Sequence, residues 1–481
     1  MNFDVQFQNL GRRLAMIRFF SVNDPYRLLV VLVFMMGAGY AAHVNLTNIT
    51  VPEFRAMIVG EMMADGKILY ADIWDSMPPV SAWINRMMVG LAGRETLTRH
   101  LVTAFVFFLQ ASYFGILLIR NRAFEQISYF PSFLFALLVF FSFDAIAFTR
   151  EVWASTFVLL ALDRTLREIQ FRDQQISNLN VLGILVGISS LCTFSYAIFF
   201  PGILVILILT SRMDPRKMLM YAAGFLFPHF LLITFYYIRG YLPDLMANFY
   251  YANFQFNTLK YFDSYGLLIL SVIPISLVIL SFIRGRGNMS VTRYQSQISV
   301  VMLLWLLIGV LEIWIARQRS AQNLVVCIPP VAYYVHHYAI RIRRAWITAL
   351  FPWVVVAGIF SVAYLSIHGK ISGVSYDKVL LSDYAQEYSG KKLLVLSDDL
   401  SQYQAGSVAG YFSEWALASE VFREPGFYEN IVLLNRLFAE DPPQIIVDPE
   451  NLMPGVFRYL PEVARQYRVE GNRYFRIHPQ D

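Results

Sequence analysis

The sequence predicts a mainly α-helical, polytopic membrane bundle of about eleven transmembrane helices, GT-C-like in the sense given below, with a small α/β domain at its C-terminal end. Three observations carry that prediction. Of the 481 residues, 57% are hydrophobic and 15% charged, where a water-soluble domain carries roughly a quarter charged residues. Aromatics reach 16%, as expected where many helix ends sit at headgroup depth and need rings with one apolar and one wet side. The loops between apolar stretches also alternate, every second one being rich in Arg and Lys.

A helix needs about 20 apolar residues to cross the hydrocarbon, and fewer when it is packed inside a bundle. By that ruler, spans fall near 27–44, 100–119, 128–148, 151–164, 179–193, 196–211, 217–238, 265–283, 297–315, 323–340 and 346–367. The fourth, fifth and sixth are short. Lys and Arg are retained on the cytoplasmic side, and one set of loops carries Arg12, Arg13 and Arg18, then Arg120 and Arg122, then Arg164, Arg167 and Arg172. The same set continues with Arg212, Arg216 and Lys217, with Arg284, Arg286 and Arg293, and with Arg341, Arg343 and Arg344. The N-terminus is therefore expected inside, and 45–98, 239–264 and the tail 368–481 outside. The charged lead-in and the further spans make the first segment a retained anchor, not a cleaved signal. The expected division is a transmembrane domain over 1–367, including outer loop helices within 45–98, and a soluble domain over 368–481.

The long outer segment is patterned. Pro52 is suited to start a helix in which Phe54, Met57, Ile58, Met62 and Met63 recur at helical spacing, and Gly66 to close it. A second stretch, Pro79 to Leu91, places Val80, Trp83, Ile84, Met87 and Met88 on one face. Two amphipathic helices on the membrane surface are expected. In the tail, 393–400 and 444–448 read as strands and 405–418 as a helix.

Several function classes find no support. A net charge of +5 over this length comes from short loops, not a basic face, so nucleic acid is not an expected partner. Cys192 and Cys327 lie in apolar stretches and suggest neither a disulfide nor a metal site. There is no Walker motif, no GxGxxG opening a helix and no GxSxG.

The most informative block is PEFRAMIVGEMMADGKILYADIWDSMPPVSAW, residues 52–83. Its Glu53 and Arg55, Gly60-Glu61-Met62 with Gly66, then Tyr70, Asp72, Trp74, Asp75, Pro78, Pro79 and Trp83 resemble the first outer loop of the GT-C membrane glycosyltransferases. The resemblance is in particular to the branch containing the protein O-mannosyltransferases and the lipid A aminoarabinose transferase. The resemblance implies a bacterial plasma (inner) membrane enzyme that takes a sugar from a polyprenyl-phosphate donor to an acceptor, whether lipid, glycan or protein, at the outer face. That family usually has Asp-Glu where this chain has Pro52-Glu53, so its catalytic acid falls on Glu53 alone.

Such a transfer needs a carboxylate to deprotonate or orient the incoming hydroxyl, and a cation to hold the departing phosphate. Glu53, Asp72 and Asp75 are the carboxylate candidates, with Arg55 beside them. Glu53 equally suits a helix N-terminus, and the two aspartates suit turns beside Pro78-Pro79. Arg150, Arg317 and Arg319 stand out as cations on the outer side, where topology disfavours them. The run 316–330 resembles the late loop in which that family's Arg contacts the donor phosphate. A guanidinium meets phosphate oxygens in bidentate fashion, and it also serves for snorkelling to headgroups.

Asp144, Glu312 and His229 are intramembrane ionisables, costly unless paired or wet. Asp144 is expected to line an outer cavity with Arg150 and Glu151, and Glu312 to pair with Arg317 and Arg319. His336-His337 sits at the inner end of its span, away from the proposed site. No cofactor is demanded: the outer-loop acids offer ligands to a divalent cation, but no spacing requires one. The rival readings are a non-catalytic accessory protein of the same fold and, third, a transporter, for which no internal repeat is found.

Overall fold

Backbone amides and carbonyls in hydrocarbon must be satisfied within their own segment, so an apolar chain of this kind folds as helices. The computed structural model describes residues 16–21, 24–171, 176–211, 213–256, 259–284, 292–342, 344–384 and 386–477. Of the loop cations above, Arg12, Arg13, Arg172, Arg212, Arg286 and Arg343 lie outside the described residues. The helices are α1 (Leu28–Asn45), α2 (Val51–Ala64), α3 (Pro79–Ala92), α4 (Thr96–Arg120), α5 (Phe130–Val139), α6 (Arg150–Phe171), α7 (Ile176–Cys192) and α8 (Phe199–Thr210). They continue as α9 (Pro215–Arg239), α10 (Ser264–Leu270), α11 (Val272–Arg284), α12 (Arg293–Ile315), α13 (Ile328–Ala339), α14 (Ala345–Ile367), α15 (Trp415–Arg423) and α16 (Tyr428–Glu440). The strands are β1 (Leu259–Lys260), β2 (Gln318–Arg319), β3 (Lys392–Val395), β4 (Ser407–Val408), β5 (Ile445–Val447), β6 (Tyr467–Glu470) and β7 (Arg473–Arg476).

Each of the eleven expected spans contains helix, but they are not alike. Among the described residues, five helices are long and apolar enough to cross a membrane: Pro25–Asn45, Thr96–Arg120, Pro215–Arg239, Arg293–Ile315 and Trp346–Ile367. A sixth is obtained if α10 and α11, bent by 66°, count as one span. The remaining segments are shorter or more polar. All ten residues of α5 are buried, and a helix enclosed by other helices does not need a run of lipid length. α6 is long enough, but it carries Arg150, Glu151, Asp163, Arg164, Arg167 and Glu168.

The chain divides into two compact units. The first comprises Met1–Thr47, Glu95–Leu232 and Phe256–Val379. Within it α6 packs on α7, α1 on α4, and α13 on both α5 and α11. Small residues let backbones approach where no hydrophobic force distinguishes helix from lipid. A Cβ on Gly183 of α7 would meet the Tyr221 carbonyl of α9 at 2.2 Å, and one on Gly224 of α9 would meet the Asn180 carbonyl of α7 at 2.3 Å.

The second unit comprises Asn48–Arg94, Ile233–Gln255 and Leu380–Asp481. Its sheet has the order β4-β3-β5-β7-β6, with β4, β3 and β5 parallel and β7 and β6 antiparallel to their neighbours. Leu394, Ile446, Trp415, Phe422, Leu437 and Tyr474 form its core, and Trp74 from the first outer loop packs against that core. The helix expected over 405–418 is a correction: β4 occupies Ser407–Val408 and helix begins only at Trp415. Gly410, at φ 80°, breaks the helical path, and 411–414 instead bonds back to Trp74. The Trp74 amide donates to the Tyr411 carbonyl at 2.7 Å, and the Ser413 amide to the Trp74 carbonyl at 3.4 Å.

Two ion-pair clasps add to this junction. Arg94 makes a bidentate pair with Glu61 at 2.6 and 2.7 Å and donates to the carbonyls of Tyr403, Gln404 and Gly406. Asp441 receives Lys67 at 2.9 Å and Lys392 at 2.6 Å. Of the two amphipathic surface helices expected, α2 is the one that differs. α2 is buried on nearly all sides, whereas α3 exposes Trp83, Met87 and Leu91, one residue per turn.

Candidate functional site

The sequence-predicted residues fall into two groups, one in each unit. In the first unit, β2 pairs in parallel with β1, and this short ribbon fixes the Arg319 backbone. Its carbonyl accepts from the Tyr261 amide at 3.0 Å and the Phe262 amide at 3.3 Å. The side chain is directed by two further contacts: Nη1 donates to Ser264 Oγ at 2.8 Å, and the guanidinium lies 4.8 Å from the Trp314 ring centre. Arg317 is on the same ribbon, where its carbonyl accepts from the Leu259 amide at 3.1 Å, and it is equally buried.

Arg319 also lines a cavity of about 320 Å³ bounded by α10, α11, α12 and the start of α13. Its walls include Leu138, Ile275, Val278, Leu306, Val310 and Val331. Among the described residues that line it, Arg319 alone is charged. The wall from Leu306 to Trp314 runs eight residue steps along α12, about 12 Å at 1.5 Å per step. An apolar slot with one guanidinium is suited to a long hydrocarbon chain ending in an anion.

Nearby polar side chains are occupied. Arg150 opens α6, and its Nε donates to Glu151 at 2.9 Å, both side chains being buried. Glu312 accepts from Ser195 Oγ and Asn323 Nδ2 on Oε1. Its Oε2 has no hydrogen-bond partner among the described residues. Asp144 is held by Ser142, by Tyr376 at 3.3 Å and by Gln322 at 3.1 Å. His229 shares a 2.8 Å hydrogen bond with Ser190.

In the second unit, Thr50 caps α2, its Oγ1 accepting from the Glu53 amide at 3.4 Å, and Glu53 is fully buried. Asp72 serves a turn: Oδ2 accepts from the Ile68 amide at 2.9 Å, and its own amide donates to the Ile68 carbonyl at 2.8 Å. The loop carbonyls are held by the 233–255 segment, Asn248 Nδ2 donating to Tyr70 at 2.9 Å and Asn253 Nδ2 to Ser76 at 2.8 Å.

Arg55 and Asp75 are brought together, with Arg55 Nε 4.0 Å from Asp75 Oδ2. Asp75 and Ser76 face Ser413 and Glu414 in a reciprocal exchange. Ser413 Oγ donates to Asp75 Oδ2 at 2.9 Å, while the Ser76 amide and hydroxyl donate to Glu414 Oε2 at 3.0 and 2.5 Å. Sequence reading missed Ser413 and Glu414, as it missed Ser264 and Trp314. Glu414 stood inside a stretch read as helix, where an acid looks like a solvated face.

Burial pushes the Asp75 carboxyl above its ordinary value; Arg55 opposes the rise and Glu414 adds to it. A raised pKa means the folded state holds the proton more tightly, so this group's contribution is full below the ordinary carboxylate pKa and is lost as pH rises through the folded value. Hydrogen-exchange protection at the amides of 74–76 and 411–414, after division by the intrinsic exchange rate, is accordingly expected to fall as pH rises above the ordinary carboxylate range. Asp75→Asn, which mimics the protonated carboxyl, is expected to flatten that dependence. An unchanged pH profile in the variant would assign the dependence elsewhere.

Among the described residues, no three His, Cys, Asp or Glu side chains gather as metal ligands. No protein-family model matches the chain, and no curated protein matches it. Solved structures are similar to it. One is ArnT from Cupriavidus metallidurans bound to undecaprenyl phosphate, at 14% identity and a TM-score of 0.49, covering 69% of this chain and 63% of that one. This chain thus matches less than two thirds of the ArnT length. Another is the oligosaccharyltransferase of Archaeoglobus fulgidus in the apo form, at 11% identity, TM-score 0.48, covering 92% and 73%. A third is the archaeal oligosaccharyltransferase AglB from Archaeoglobus fulgidus with an inhibitory peptide and a dolichol-phosphate, at 12% identity, TM-score 0.46, covering 95% and 74%. At this level of likeness no residue role and no activity passes from those proteins to this one.

Proposed function

We propose that this protein is a membrane glycosyltransferase that takes a sugar from a polyprenyl-phosphate-linked donor and passes it to an acceptor at the outer face of a bacterial plasma membrane. The observation that carries the reading is the apolar cavity in which, among the described lining residues, Arg319 alone is charged. The prenyl chain lies along α10, α11 and α12, and the phosphate meets Arg319, with Arg317 on the same ribbon. Arg150 contributes to the anion's surroundings from the head of α6.

In the reaction the acceptor oxygen attacks the anomeric carbon while the bond from that carbon to the phosphate oxygen breaks. The acceptor proton passes to the Glu53 carboxylate, and the polyprenyl phosphate leaves with the bonding pair, its charge met by guanidinium. Arg55, Asp72 and Asp75 position the outer loop around Glu53. Because Glu53 is fully buried, this reading requires the acceptor to reach it only when the surrounding side chains part. The C-terminal domain, taken as extracytoplasmic, binds the acceptor or a partner.

The test is transfer itself. The full-length protein in proteoliposomes is supplied with a panel of polyprenyl-phosphate-linked radiolabelled sugars, and release of polyprenyl phosphate is followed with movement of label to lipid, glycan or protein fractions. Release coupled to transfer is expected with at least one donor. Release of none sinks the reading.

A further inference from the structure

Unit 1 holds a second, larger cavity that the donor reading does not use. Its volume is about 710 Å³. It is bounded by the short helix Met16–Phe20, by the segment 123–128, by the first turns of α12 and by the end of α13. Among the described residues, its charged lining is Arg18 and Arg341 against one carboxylate, Glu125. The loop cations that mark this end of the helices are those the sequence assigns to the cytoplasm.

The feature that points to a ligand is His336, which lines this cavity and is only 1% exposed. Phe124 meets its ring edge-on, with ring centres 4.5 Å apart, and Phe130 lies at 5.8 Å. Its Nδ1 has no hydrogen-bond partner among the described residues. A buried imidazole nitrogen left so is destabilising, and an acceptor arriving in the cavity would supply the missing bond. His337 and Tyr333 stand beside it, their rings 6.1 Å apart.

We propose that this cavity binds a phosphate ester: His336 donates from Nδ1–H to a phosphate oxygen, and Arg18 and Arg341 neutralise the anion. Two guanidinium groups outnumber the single acid, which favours an anion over a cation, and Glu125 accepts from a hydroxyl of the ester. The ester comes either from a phospholipid headgroup of the adjoining leaflet or from a soluble metabolite.

Calorimetric titration of the full-length protein in detergent separates these sources. The probes are dihexanoyl phosphatidylglycerol, glycerol 3-phosphate and inorganic phosphate, each against wild type, Arg341→Gln, His336→Phe, His336→Asn and Arg319→Gln. Binding is expected to weaken at least tenfold in Arg341→Gln and His336→Phe, to survive in His336→Asn, whose amide donates from a similar place, and to be unchanged in Arg319→Gln. Binding of the lipid alone identifies a headgroup site, and binding of glycerol 3-phosphate as well identifies the ester itself. No binding of any probe at millimolar concentration, or equal affinity in wild type, Arg341→Gln and His336→Phe, overturns the proposal. Loss on Arg319→Gln would place the bound anion in the other cavity and overturn it too. Arg341→Gln keeps the test informative if His336→Phe fails to fold.

Discussion

Glu53→Gln is expected to lower the rate of sugar transfer by about a hundredfold to ten-thousandfold, the range that a positioned general base contributes, while leaving donor binding near wild type. The amide keeps the shape and the Thr50 cap, which involves the Glu53 backbone. A melt run beside the assay separates chemistry from folding. The measurement is single-turnover transfer in proteoliposomes beside a thermal melt. Transfer at the wild-type rate would remove Glu53 from the chemistry and leave its burial a structural feature of α2.

The second large effect is at the cavity. Arg319→Gln is expected to weaken binding of a polyprenyl phosphate about tenfold to a hundredfold, corresponding to one charge-assisted hydrogen bond of roughly 1.5–3 kcal/mol. Binding of the uncharged polyprenol is expected to change much less, because the apolar wall is untouched. Native mass spectrometry with both ligands reads the difference. Part of any loss belongs to the contacts with Ser264 and Trp314 that orient the side chain, so Arg319→Lys, which keeps the charge, is expected to fall between the two. Equal loss for phosphate and alcohol would mean that the substitution collapsed the cavity and removed no anion contact.

How far the sequence reached follows from the range of the interactions involved. The long helices α4, α9, α12 and α14 were legible because span length and flanking cations are local signals. Pro52 and the start of α2 were legible for the same reason, whereas the Thr50 cap was not read from the sequence. α5 and α6 were harder to class, since a helix enclosed in protein needs neither lipid length nor freedom from charge, and only tertiary packing decides that. The apolar stripe of α3 was legible in part, since Trp83 and Met87 recur at helical spacing and are exposed while Met88 is buried; the near-complete burial of α2 depends on packing that no local pattern shows. The misplaced helix at 405–418 has a non-local cause: Tyr411 and Ser413 bond to Trp74, more than 300 positions earlier.

The candidate residues show the same division. Arg317 and Arg319 stood out as cations out of place for the topology, and both are buried on a short ribbon. What the sequence did not reveal was β1, a two-residue strand at Leu259–Lys260, nor Ser264 beyond it, which together aim Arg319. Asp75 was read as a turn residue or an acid of the site. It takes part in a reciprocal exchange with Ser413, and no spacing rule connects positions 338 apart.

The most direct test is photocrosslinking with an undecaprenyl phosphate that carries a diazirine along its chain, applied to the full-length protein in lipid nanodiscs. The account predicts label on peptides containing Ile275, Val278, Leu306, Val310 and Val331, displaced by unlabelled undecaprenyl phosphate and reduced in Arg319→Gln. Label confined to other helices, or label on these peptides that neither competitor nor substitution affects, would contradict it.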